Sequence, residues 1–251
     1  MIKKKEGMPM RRSRKIALSI IAAVLLAMVV GCGMYVSDYY RADETAAAAL
    51  ISTQTVEVEQ REGMTVFLPN EAEAGFLFYP GGKVEAQAYA PLMKALAEQN
   101  ILCILLEMPF QLAVLDMDAA AGVPEQFPQI QRWYIGGHSL GGSMAASYGA
   151  GNSASLEGIV LLAAYSTEDL KETGLKVLSL YGSEDGVLNM EKYQQYRENL
   201  PEDCLEILIE GGNHAGFGSY GHQEGDGEAT ISAEEQTQIT AAAITDCLAK
   251  E

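Results

Sequence analysis

The stretch "YIGGHSLGGSMAAS", Tyr134 to Ser147, places an apolar run directly before a glycine pair, a serine and a series of small residues. Residues 137–141 within it read G-x-S-x-G, with Ser139 at the centre. Between a strand and a helix, this pattern is typical of a sharp turn that exposes a nucleophilic serine, with glycines where side chains would collide with the backbone. The alternative is a glycine-rich loop with an ordinary serine.

The residues around this stretch alternate between short apolar runs and helical patterns. Most of the runs are apolar throughout, which is typical of strands covered on both faces. Two further segments, "TVEVEQ" and "MTVFLP", are separated by "REG" and predict a hairpin before the series. We therefore predict an α/β domain over residues 55–251, with a doubly wound, mostly parallel sheet and an N-terminal antiparallel hairpin. The runs are "GFLFY" (75–79), "ILCILL" (101–106), "WYIGG" (133–137), "GIVLLAA" (158–164), "KVLSLY" (176–181) and "LEILIE" (205–210).

A serine nucleophile requires a base, and the chain has three histidines. His214 follows the last apolar run, where a catalytic histidine would lie on a loop at the carboxyl edge of the sheet. His222 lies in the same glycine-rich region and is the second candidate. His138 adjoins Ser139, and neighbours on a sharp turn point apart, which favours a packing role.

An acid that orients the base is expected between the serine and the histidine in the chain. The segment "LYGSEDGV" (180–187) follows an apolar run and offers two carboxylates. Asp185 is favoured over Glu184 because a short side chain next to Gly186 holds an imidazole with less freedom.

The oxyanion of an acyl-transfer intermediate requires two N–H donors. We expect one from the backbone of Leu140 and the other from Gly82 or Lys83, in "PGGK" (80–83) after the first parallel strand. Met108 and Phe110 are candidates for the pocket lining, with a core position as the alternative for both. The cysteine and histidine spacings match no metal site, and we expect no cofactor. The sequence does not decide whether Cys204 and Cys247 form a disulfide.

The N-terminal region differs in composition from the rest of the chain. Residues 1–15 carry seven Lys/Arg and one Glu, and the remainder carries ten Lys/Arg and 33 Asp/Glu, a net charge of −23. Residues 16–36 contain no charge and are long enough to span a bilayer. We predict a cytoplasmic basic segment (1–15), a transmembrane signal anchor (16–36) and a tether (37–54). The basic flank then puts the acidic domain outside the cytoplasm, on a single-pass cell-membrane protein.

Two alternatives for this region stay open. A cleaved signal peptide would release the domain, and "VVGC" ending at Cys32 is similar to a lipoprotein-processing site. The acidic balance of the folded part disfavours nucleic acid as a partner.

Four segments carry a family resemblance: "FYPGGKVEAQAYAPL", "GGHSLGG", "YGSEDGV" and "GGNHAGFGSYGHQ". From about residue 55 onward the chain resembles the α/β-hydrolase superfamily, and within it the small dienelactone-hydrolase-like branch and its bacterial membrane-anchored members. The resemblance implies the fold, a triad of Ser139, Asp185 and His214, and an oxyanion loop at residues 81–83. Dienelactone hydrolases carry a cysteine nucleophile, so Ser139 favours more general acyl hydrolysis.

The sequence thus predicts a serine hydrolase that cleaves an ester, thioester or amide through an acyl-enzyme. The expected partners are the membrane and a small-molecule or lipid-like acyl substrate. Acyl transfer by the same triad and a catalytically silent binding module tethered to the membrane are the alternatives.

Overall fold

A computed structural model describes residues 10–249 and divides the chain into two units, the first ending at Asp38 and the second beginning at Tyr39. The first unit contains one helix, α1 (Met10–Ser37). Its part from Ile16 to Ser37 is apolar and long enough to cross a membrane, a property that signal sequences near an N-terminus share. The predicted span of 16–36 coincides with this segment. Residues 1–9 of the predicted basic segment lie outside the described residues.

The second unit is built on one eight-stranded sheet with the order β1-β2-β4-β3-β5-β6-β7-β8. β1 and β2 form the predicted antiparallel hairpin, and β2 continues antiparallel against β4. All other neighbours are parallel, which confirms the predicted sheet. The strands are β1 (Val56–Arg61), β2 (Met64–Pro69), β3 (Ala74–Tyr79), β4 (Ile101–Leu106), β5 (Trp133–His138), β6 (Gly158–Leu162), β7 (Lys176–Gly182) and β8 (Leu205–Ile209).

Five helices of this unit are α2 (Glu44–Ala49), α3 (Ala90–Ala97), α4 (Leu140–Gly151), α5 (Met190–Tyr196) and α6 (Ala233–Ala249). Successive strand residues point to opposite faces, so Phe76 and Phe78 pack with α3 and α6 while Leu77 packs with α4. The two resulting cores explain why central strands such as β3 and β4 are apolar throughout. Cys103 is fully buried in the first core.

The segment predicted as a tether, 37–54, belongs to the folded unit from Tyr39 onward. Tyr40 forms a parallel bridge with Val84, and the Asp43 carboxylate accepts a hydrogen bond from the Ala46 N–H at the start of α2. Ala46 and Ala49 are buried, and Ala49 belongs to the first core together with residues of α3. The alanines therefore provide a packing surface, and this corrects the predicted domain start at residue 55. Cys204 and Cys247 are both thiols.

Candidate active site

Ser139 occupies the single position between the end of β5 and the start of α4. Its backbone has φ 54° and ψ −123°, a region that a non-glycine residue adopts at a cost of about 1–3 kcal/mol. The Ser139 N–H donates to the Leu162 carbonyl at 2.9 Å, and its carbonyl accepts from the Ser143 N–H at 3.1 Å. The strained turn is thus fixed on both sides by backbone hydrogen bonds.

The glycines around Ser139 are required by close backbone contacts. A Cβ at Gly137 would come within 2.6 Å of the Tyr79 carbonyl oxygen. A Cβ at Gly141 would overlap the carbonyl oxygens of Tyr79 and Pro80. The turn therefore packs against the end of β3, as the G-x-S-x-G pattern predicted.

His214 and Asp185 form a buried pair on the loops that follow β8 and β7. The His214 Nδ1 lies 2.9 Å from Asp185 Oδ2, and the two side chains are 2% and 1% exposed. The other oxygen, Asp185 Oδ1, accepts from the N–H groups of Val187 and Leu188 at 2.9 and 2.7 Å. An ionised carboxylate only accepts hydrogen bonds, so it orients the imidazole with Nδ1 as the donor and leaves the ring lone pair on Nε2.

The two alternative residues are placed elsewhere. Glu184 is exposed, and its carboxylate accepts a hydrogen bond from the Ser183 hydroxyl at 3.0 Å. His222 is exposed on the rim of a separate cavity of about 450 Å³. Ser139 and His214, by contrast, line one cavity of about 250 Å³ at the carboxyl ends of β5, β6 and β7.

The loop after β3 lies directly against the first residue of α4. A Cβ at Gly82 would come 3.0 Å from Leu140 Cδ2. The Lys83 N–H donates to the Gln111 carbonyl at 2.8 Å, and the Gly81 N–H donates to the Tyr89 hydroxyl at 3.1 Å. Lys83 is therefore not available as an oxyanion donor. Among residues 10–249, the Gly82 N–H has no acceptor, and the Leu140 N–H, at the start of a helix, has no intrahelical one.

Comparison with known proteins identifies the family of the fold. Residues 75–238 match the alpha/beta hydrolase family. The chain belongs to the alpha/beta hydrolase family. No curated protein matches the sequence.

Solved structures share the fold of this alpha/beta hydrolase at low sequence identity. A CIB-like hydrolase from Thermoplasma acidophilum is 16% identical with a TM-score of 0.55, over 76% of this chain and 98% of that one. Est1E from Butyrivibrio proteoclasticus is 13% identical with a TM-score of 0.56, over 78% and 100%. Carboxyl esterase 2 from Tuber melanosporum is 10% identical with a TM-score of 0.56, over 84% and 91%.

His138 of this alpha/beta hydrolase is buried behind the site. Its Nδ1 lies 2.7 Å from the Tyr89 hydroxyl, and its ring centroid is 4.4 Å from that of His214. Burial lowers the pKa of His138 well below its usual value, and the nearby His214 lowers it further. His138 Nδ1 and the Tyr89 hydroxyl share this hydrogen bond, and the Tyr89 hydroxyl also accepts from the Gly81 N–H. The packing role expected from its position matches its burial.

The predicted pocket residues lie outside the cavity that contains Ser139. Met108 is buried beside a separate depression, and Phe110 is 58% exposed with φ 54°. The cavity wall comes from residues that the sequence reading missed: Ala163, Ala164 and Tyr165 after β6, and Val187, Leu188 and Asn189 after β7. Their position just beyond two parallel strands is the signal that could have found them, because ligands of open α/β sheets bind at that edge.

The loop that carries His214 is held by a side chain of α6. Gln236 is 1% exposed, and its Oε1 accepts from the Asn213 N–H at 3.0 Å. Its Nε2 donates to the Asn213 carbonyl at 2.8 Å. Asn213, the residue before His214, is thereby fixed to α6. Within residues 10–249, no cluster of three or more His, Cys, Asp or Glu side chains could hold a metal ion.

Proposed function

We propose that this alpha/beta hydrolase is a serine hydrolase that cleaves esters through an acyl-enzyme on Ser139. The observation that carries the proposal is the shared cavity of Ser139 and His214, with Asp185 bonded to the far nitrogen of His214. A nucleophile, a base and an orienting acid are the groups that acyl transfer requires.

In the proposed reaction, the Ser139 hydroxyl oxygen attacks the substrate carbonyl carbon while His214 Nε2 takes its proton. The tetrahedral oxyanion accepts hydrogen bonds from the N–H groups of Leu140 and Gly82. The intermediate collapses as His214 returns the proton to the leaving alcohol, which leaves an ester on Ser139. Water then attacks this ester, again with His214 as base, and releases the carboxylic acid and free Ser139.

Gly82 is proposed as the donor because its neighbours are engaged elsewhere. The N–H groups of Gly81 and Lys83 donate to Tyr89 and Gln111. Gly82 lies against the Leu140 side chain, so the two proposed donors belong to neighbouring residues of the structure. A pair of preorganised donors of this kind is worth about 3–4 kcal/mol of transition-state stabilisation per donor.

The size of the cavity favours small acyl groups. A volume of about 250 Å³ is below that of sites which enclose drug-sized ligands. Est1E, one of the structural neighbours, has been solved with ferulic acid bound, and another neighbour is a carboxyl esterase. We therefore propose a small carboxylic ester as the substrate class.

Labelling with a fluorophosphonate probe tests the nucleophile. The full-length protein should be labelled, and Ser139→Ala should lose both labelling and hydrolysis of p-nitrophenyl acetate, butyrate and octanoate. Ser147→Ala, on the helix α4 that follows Ser139, is the matched control and should retain both. Hydrolysis by Ser139→Ala at the wild-type rate would exclude the proposed mechanism. Labelling without turnover on the ester panel would favour the silent binding module, and product formation only with added acceptor alcohols would favour acyl transfer.

For the N-terminal unit we propose a membrane anchor with the hydrolase outside the cytoplasm. An uncharged helix from Ile16 follows seven Lys/Arg in residues 1–15, and this charge asymmetry sets membrane orientation. The mass of the membrane-extracted protein tests the proposal. An intact N-terminus supports it, whereas a lipid-modified chain beginning at Cys32 or a shortened soluble chain contradicts it.

A further inference from the structure

One carboxylate outside the Ser139–Asp185–His214 group contacts both loops that carry the acid and the base. Asp226 Oδ1 accepts from the Gly186 N–H at 3.0 Å and from the His214 N–H at 3.2 Å. Its Oδ2 accepts from the Ala215 N–H at 2.8 Å. Gly186 adjoins Asp185, so a single side chain bridges the backbone of the two loops, 40 and 12 residues away in sequence.

The backbone around Asp226 is packed between the same two loops. A Cβ at Gly186 would come within 2.6 Å of the Gly225 carbonyl oxygen, and a Cβ at Gly227 would overlap the Glu184 carbonyl. On the other side, the Asn213 amide donates to the Gly227 carbonyl at 2.8 Å. Residues 225–227 therefore form a wedge between the acid loop and the histidine loop, with the Asp226 carboxylate at its centre.

A carboxylate suits this position because it offers two oxygens that only accept hydrogen bonds. Four backbone N–H groups point at Asp226, including its neighbour Gly227 at 2.9 Å. Hydrogen bonds from N–H groups to an ionised carboxylate are about twice as strong as neutral ones. An amide in its place would keep one acceptor oxygen and turn an NH₂ group toward at least one N–H, which repels it.

We propose that Asp226 is a positioning residue of this active site, which fixes the separation and orientation of the loops that carry Asp185 and His214. The proposal rests on the function proposed above for Ser139, Asp185 and His214. The Asp185–His214 hydrogen bond joins two side chains from different loops, so its geometry depends on what holds the loops together. Asp226 makes no contact with the cavity that contains Ser139, and acts on the reaction through the backbone of the two loops.

The test compares Asp226→Asn and Asp226→Ala in the full-length protein in detergent. With p-nitrophenyl acetate, Asp226→Ala should lower kcat about 10- to 100-fold, since a displacement of about 1 Å at a catalytic group costs this much. KM should change less than kcat, because Asp226 itself contributes no side chain to the cavity wall. Asp226→Asn keeps one acceptor oxygen and should fall between wild type and Asp226→Ala. Glu228→Gln removes an exposed charge from the same segment and should have wild-type kinetics.

Three outcomes would overturn the proposal. The first is a kcat within twofold of wild type in folded Asp226→Asn and Asp226→Ala. The second is an equal loss in the two variants, which would assign the effect to charge rather than to geometry. The third is a loss of melting temperature with an unchanged kcat of the folded fraction, which a merely structural role would give. If Asp226→Ala does not fold, the proposal is tested by the kcat of Asp226→Asn compared with that of Glu228→Gln.

Hydrogen exchange separates failure of this proposal from failure of the proposed function. Exchange is measured by mass spectrometry on peptides that cover residues 182–190 and 211–218, and it requires no turnover. Faster exchange in both peptides of Asp226→Asn, with no change in Glu228→Gln, supports the wedge even if the wild-type protein hydrolyses no ester. Unchanged exchange in both peptides overturns the wedge whatever the activity of the wild-type protein.

Discussion

The turn that carries Ser139 is held by backbone packing, whereas the loop that carries His214 is held by polar side chains from distant parts of the chain. Around Ser139, glycines allow the backbone of α4 to lie against the end of β3. Around His214, Gln236 and Asp226 bond to backbone groups of the loop. The first arrangement is encoded in consecutive residues, and the second is dispersed along the sequence. The turn around Ser139 is therefore easier to predict from the sequence than the loop around His214.

A methyl group at Gly141 should break the first arrangement and give the largest effect. In Gly141→Ala the new Cβ would overlap two backbone carbonyl oxygens, which cannot rotate away as a side chain would. Overpacking costs about 1–3 kcal/mol or more, and the displaced Ser139 should lower kcat/KM more than about 100-fold. Urea unfolding measures the loss of stability, and p-nitrophenyl acetate hydrolysis measures the loss of kcat/KM.

Gly151→Ala provides the matched control for Gly141→Ala. Gly151 is the last residue of α4, and a Cβ there would meet no atom within 4 Å. The Gly151→Ala variant should have the activity of the wild-type protein. Equal activity of the two variants would show that the close contact at Gly141 does not position Ser139.

The segment that precedes β1 contacts both the Gly82 loop and the region of Asp226. Its removal should have the second-largest effect. The Tyr40 N–H donates to the Lys83 carbonyl, and the Tyr40 carbonyl accepts from the Glu85 N–H, next to the Gly82 loop. The Tyr40 hydroxyl accepts from the Glu224 N–H, near Asp226. A fragment of residues 39–251 should therefore keep the stability and activity of the full-length protein.

A fragment of residues 55–251 lacks these contacts and the buried alanines of α2. We expect it to be less stable by roughly 3 kcal/mol and to lose activity, since it exposes apolar surface and breaks backbone hydrogen bonds. Differential scanning fluorimetry and ester hydrolysis compare the two fragments. Indistinguishable fragments would show that residues 39–54 contribute to neither loop.

The sheet and the Ser139 turn could be predicted because their signals lie in residues close in sequence. The positions of Asp185 and His214 on the loops after β7 and β8 followed from their order after apolar runs. The hydrogen bond that engages the Lys83 N–H could not be predicted, because its acceptor is the Gln111 carbonyl on another loop. The cavity wall was missed for a similar reason: its side chains lie beyond strands that the pattern located only approximately. The tether prediction failed because an alanine-rich stretch has the same composition whether it is solvated or packed.

Gln236→Ala tests how the loop that carries His214 is held, without changing the turn that carries Ser139. This substitution leaves the N–H and C=O of Asn213 without their side-chain partners, at a cost of about 1–3 kcal/mol for each unsatisfied buried group. We expect a lower unfolding midpoint and a smaller loss of kcat than in Gly141→Ala, because Asp226 still bonds to the His214 N–H. Gln238→Ala, exposed on the same helix, is the control and should match wild type. A wild-type midpoint in Gln236→Ala would mean that α6 does not hold this loop.

The smallest effect is the pH dependence of stability that comes from His138. This residue lies between the Ser139 turn and the His214 loop, and near neutral pH it titrates only in the unfolded chain. Its folded pKa is well below the usual value because burial disfavours the charged form. Below pH of about 6.5 the unfolded chain binds a proton that the folded protein excludes, so the free energy of unfolding falls as the pH falls, and above that pH the effect vanishes. The expected slope is about 1 kcal/mol per pH unit. Urea unfolding of wild type and His138→Asn at pH 7.5 and 5.5 measures it, and the variant should lose less stability on acidification. Equal losses in the two proteins would show that His138 is protonated in the folded state, and that the ring packed against His214 tolerates a charge.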